Sequence, residues 1–73
     1  MTQKDIVERM EAFTYNLKRG IISIYECEQL MNNVIMDGVL EMPADTAEQN
    51  DKRIAAIKKR KRRMWRMLLD ATK

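Results

Sequence analysis

The residues with the most definite chemistry in this sequence are six consecutive cations, Lys58, Lys59, Arg60, Lys61, Arg62 and Arg63, followed by Trp65 and Arg66. Cations in such density bind anions. If the run is helical, it covers every side of the helix and sets like charges one turn apart, as in Lys58–Arg62 and Lys59–Arg63, an arrangement that packing alone disfavours. The anion is phosphate backbone, a partner's acidic surface, or the acidic part of this same chain. The competing account is a solvated charged helix with no ligand. Phosphate contacts position a protein without reading bases. Base readout needs Asn, Gln or Arg aimed into a groove, or aromatic rings for stacking. Trp65 is the one aromatic near the run, and Gln49 and Asn50 lie well before it.

Other chemistry has little to work with. Histidine is absent and Cys27 is the single cysteine, so no intrachain disulfide forms and no zinc-ligand spacing exists. Cys27 falls on an apolar helical stripe between Glu26 and Glu28, whose charges are expected to raise its pKa. There is no glycine-rich phosphate loop. A chain of 73 residues is too short to enclose a pocket of typical ligand size. No catalytic residue, cofactor, metal or small-molecule substrate is expected, and the chain reads as a binding protein.

The charge is divided along the chain. Residues 1–50 carry four bases and nine acids, a net charge of −5, whereas residues 51–73 carry ten bases and two acids, a net charge of +8. Such asymmetry points to an acidic or polyanionic partner, or to the two parts touching each other. No apolar stretch approaches the roughly 20 residues that span a bilayer, and the N-terminus lacks an apolar signal core. A soluble protein of the reducing cytoplasm, with no membrane partner, is expected.

The elements that position the cations are helices. Thr2 is an N-cap with Asp5 three residues on, and Ile6, Val7, Met10, Phe13 and Leu17 recur at helical spacing. Gly20 suits the left-handed position after the last turn. Ser23 and Glu26 form a capping box, with Ile22 and Cys27 at the staple positions on either side. A second stripe follows, made of Ile24, Cys27, Leu30, Met31, Val34 and Ile35, and Asp37-Gly38 is expected to stop it. The short connection makes these two helices antiparallel. Pro43 marks a linker over 39–44. From Asp45 or Thr46 onward the chain is rich in strong helix formers, with Ala47, Ile54, Ile57, Met64, Trp65, Leu68 and Leu69 on one face and Lys61 interrupting it.

The pattern therefore predicts an all-α protein. Helices fall near 3–19, 24–37 and 45–70, making an acidic helical hairpin (1–38), a linker (39–44) and a longer basic C-terminal helix (45–73) partly packed on the hairpin. Ile6, Met10, Phe13, Leu17, Leu30, Val34 and Ile35 are the expected core. Trp65 and Leu68 are expected to cap it, the alternative being that Trp65 is a docking anchor. Seven methionines suit either an adaptable surface or a small irregular core, with core filling favoured.

In length, basic character, lack of catalytic residues and helical layout, the whole chain resembles the small bacteriophage-encoded proteins that bind host RNA polymerase, such as the inhibitor and antiterminator of a Xanthomonas phage. That resemblance implies a regulator docking on a polymerase subunit and altering transcription by protein–protein contact. The residues expected to meet the partner are Lys58, Lys59, Arg60, Lys61, Arg62, Arg63, Trp65 and Arg66. The alternative is a nucleic-acid-binding accessory protein using the same basic helix on phosphate.

Overall fold

A computed structural model describes residues 2–73. It contains three helices, α1 (Gln3–Lys18), α2 (Ile24–Leu40) and α3 (Ala47–Ala71), and no strand among the described residues. The helices α1 and α2 pack against each other and α3 packs against both. The bundle measures 43 × 19 × 18 Å. At 1.5 Å per residue, α3 is about 37 Å long and runs along nearly the whole long axis.

Each helix begins with the same local device. Thr2, Ser23 and Thr46 are extended N-caps whose hydroxyls accept from the backbone N–H of Asp5, Glu26 and Gln49, and those three side chains accept in return from the cap N–H. Gln49 also accepts from the Asp45 N–H at 2.8 Å. In Asp5 the hydrogen bond from the Thr2 backbone holds the carboxyl below its ordinary pKa. The end of α1 is a Schellman motif. Gly20 sits at φ +75°, its N–H donates to Leu17 O, and the Ile21 N–H donates to Asn16 O, both at 3.0 Å.

The second helix does not stop at Asp37-Gly38. It continues to Leu40, so the connection to α3 lies at 41–46 and not at 39–44. Pro43 ends the helix instead, because its ring disfavours helical geometry in the residue before it. Gly38 is buried within α2, where an added Cβ would lie 2.8 Å from Ile6 Cδ1 and 3.0 Å from Arg60 Nη1. The glycine lets the start of α1 approach the end of α2, which fixes the antiparallel hairpin.

The core joins Ile6 and Met10 of α1, Cys27, Met31, Val34 and Ile35 of α2, and Met64 and Leu68 of α3. Phe13, Leu17, Ile22 and Met67 pack against it, half-buried. Leu30 is outside it, 37% exposed, because Met31 takes the inward position and turns its neighbour to the rim. Trp65 does not cap the core either. It is 48% exposed, whereas Met64 before it is buried. Three of the four methionines on inward-facing positions of the helices (Met10, Met31 and Met64) are fully buried or nearly so, so they fill space between helices of unequal length.

Candidate functional site

The inward face of α3 is set by Arg53, Ile57, Arg60, Met64, Met67 and Leu68, at steps of four, three, four, three and one. Arg60, not Lys61, is the cation that interrupts this stripe. Its side chain reaches toward Gly38, and Nη1 is buried without a hydrogen-bond partner. The structure thus separates Arg60 from the other residues singled out in the sequence. Lys58, Lys59, Lys61, Arg62, Arg63, Trp65 and Arg66 all lie on the exposed side.

Four of these cations form a compact set. Lys59, Arg62, Arg63 and Arg66 line one shallow groove. Their spacing of three, one and three residues stacks them along one side of the helix over about 10 Å. Three ion pairs occur among the described residues, Lys4–Glu8, Lys52–Glu48 and Lys73–Asp70, each within one turn of one helix. None involves the basic run, and none joins α3 to the acidic hairpin. The hairpin packs against α3 through its apolar side and leaves the cations unneutralised.

The apolar neighbours of this set are exposed as well. Leu69 stands one turn after Trp65 and is 65% exposed, and Ile54 is 51% exposed. The outward side of α3 therefore offers charge and apolar surface together. No protein family, characterised protein or solved structure matches this chain. Its function is read from its own residues.

Arg53 has a different role. Its Nε donates to Met42 O at 2.9 Å, and Nη2 donates to Met42 O and, at 3.1 Å, to Leu40 O. The cation meets the carbonyl end of α2, which has no basic residue in its own last turn. Nothing in the linear spacing reveals this clasp across eleven to thirteen residues. The thiol of Cys27 is fully buried, with Sγ 3.6 Å from Met31 Sδ. Burial, not the neighbouring acids, raises its pKa, which keeps it protonated and unreactive. Among the described residues no helix is long and apolar enough to cross a membrane.

Proposed function

We propose that the chain is a non-enzymatic regulatory protein that docks the outward side of α3 on an acidic surface of a protein partner. The observation that carries this reading is the set of unpaired cations, Lys59, Arg62, Arg63 and Arg66, beside exposed Trp65 and Leu69. Phosphate would satisfy the charges but offers no cover for the apolar side chains, whereas a protein surface supplies both. By resemblance to small phage-encoded regulators, the first partner to test is bacterial RNA polymerase. Contact with one of its subunits, in the host cytoplasm, would inhibit or redirect transcription. A second reading, docking on nucleic-acid phosphate, draws support from the groove being lined by cations alone.

Equilibrium binding to purified RNA polymerase and, separately, to duplex DNA tests both readings. Changing Lys59, Arg62, Arg63 and Arg66 together to Ser should weaken polymerase binding while leaving the fold intact. Exposed ion pairs contribute about 0–1 kcal/mol each, so four removed together are worth roughly 2–4 kcal/mol. That is about 30- to 1000-fold in affinity. Undiminished binding by the quadruple variant would make the basic side of α3 a bystander. Binding to DNA alone, with a steep loss on adding salt, would favour the phosphate reading.

A further inference from the structure

The exposed side of α3 is divided lengthwise. Each residue advances about 100° around a helix. With Arg53, Ile57 and Met64 facing inward, Ile54, Lys58, Lys61, Trp65 and Leu69 fall along one edge of the outward surface. Arg62, Arg66, Lys59 and Arg63 fall along the other. The first edge turns apolar at Trp65 and Leu69, after Lys58 and Lys61, and the second is cationic from Lys59 to Arg66, with Asp70 one turn beyond. The apolar pair Trp65 and Leu69 runs beside Arg62 and Arg66, so a complementary surface carries an apolar row beside a row of carboxylates.

The packing of α3 limits the shape of that surface. One side of α3 is held against α1 and α2, in a bundle only 18–19 Å across its short axes. A deep groove closing around α3 would collide with the other two helices. A single helix laid alongside avoids this, and Trp65 and Leu69 are spaced one turn apart, as anchors between paired helices are. Resting on the docking face proposed above, we infer that its occupant is an amphipathic helix of a protein partner, with Asp or Glu along one flank of its apolar row. The charge complementarity is direct, because none of the ion pairs among the described residues takes Lys59, Arg62, Arg63 or Arg66, and Asp70 at the end of the row pairs with Lys73.

Labelled helical peptides test this at fixed salt. The first has a leucine row with glutamates along one adjacent row. The second has the same composition with the glutamates opposite the leucines. Oligoglutamate of equal charge and a short DNA duplex complete the set. The first peptide should bind at least tenfold more tightly than the others. Trp65→Ala, and separately Leu69→Ser, should reduce its affinity to the oligoglutamate level without lowering the melting temperature. Equal binding of oligoglutamate or DNA would overturn the inference, as would full affinity in both single variants. If RNA polymerase binds in a charge-dependent way while the two leucine peptides bind equally, only the two-row inference falls. If neither polymerase nor any peptide binds, the docking face falls with it.

Discussion

Met31 is fully buried between the helices while its neighbour Leu30 keeps 37% of its surface, so truncation should separate the two. Met31→Ala should cost roughly 2–5 kcal/mol, a large part of the stability of a domain this small. Leu30→Ala should cost less, about 1–2 kcal/mol, since part of its side chain already lies in solvent. Urea denaturation of both variants checks this, and equal costs would contradict the burial. Gly38 offers a second contrast. Alanine there gains about 1 kcal/mol of helix propensity, but its Cβ meets Ile6 Cδ1 at 2.8 Å, and Ile6 is fully buried. Overpacking of this kind costs roughly 1–3 kcal/mol. Ile6→Val removes the Cδ1 atom, so Gly38→Ala should be better tolerated in the Ile6→Val background than in the parent. A double-mutant cycle with no coupling would show that the two positions do not set the approach of α1 to α2. The sequence assigned Gly38 to a helix end because glycine often marks one. Its tertiary contact with Ile6 decided otherwise.

Among the elements, the three starts were legible because each cap and its third-residue partner lie within one turn: Thr2 with Asp5, Ser23 with Glu26, and Thr46 with Gln49. The rotation of each helix was less so. At Leu30-Met31, Met64-Trp65 and Leu68-Leu69, two adjacent residues are apolar and only one faces inward. A helical period cannot choose between such neighbours, since the choice depends on where the other two helices lie. For the same reason Arg60 was grouped with its exposed neighbours although it shares the inward side with Ile57 and Met64. The Arg53 clasp also escaped notice because it joins two elements. Arg53→Met should lose its bonds to the Leu40 and Met42 carbonyls, at a cost of about 1–2 kcal/mol after allowing for its partial exposure. Arg53→Lys should recover only part of this, because an ammonium lacks the forked donors that span two carbonyls.

Across the molecule, the anchoring of α3 is uneven. Residues 47–52 bury little beyond part of Gln49, whereas Met64 and Leu68 are among the most buried residues. The sequence predicts only a partly packed helix, its apolar stripe interrupted at Lys61. Met64, Met67 and Leu68 restore that stripe. Amide exchange should therefore be slowest within α3 around residues 64–68 and fastest over 47–52, and the reverse order would count against the packing described. The charge is uneven too, with net −5 over residues 1–50 and net +8 over residues 51–73. Because α3 lies along one side of the hairpin and no ion pair among the described residues joins them, the molecule carries a permanent electric dipole across its short axis. In the field of an acidic surface it feels a torque that turns α3 foremost before any atoms touch. Diffusional encounters then arrive already aligned, and added salt shortens the distance at which that alignment begins.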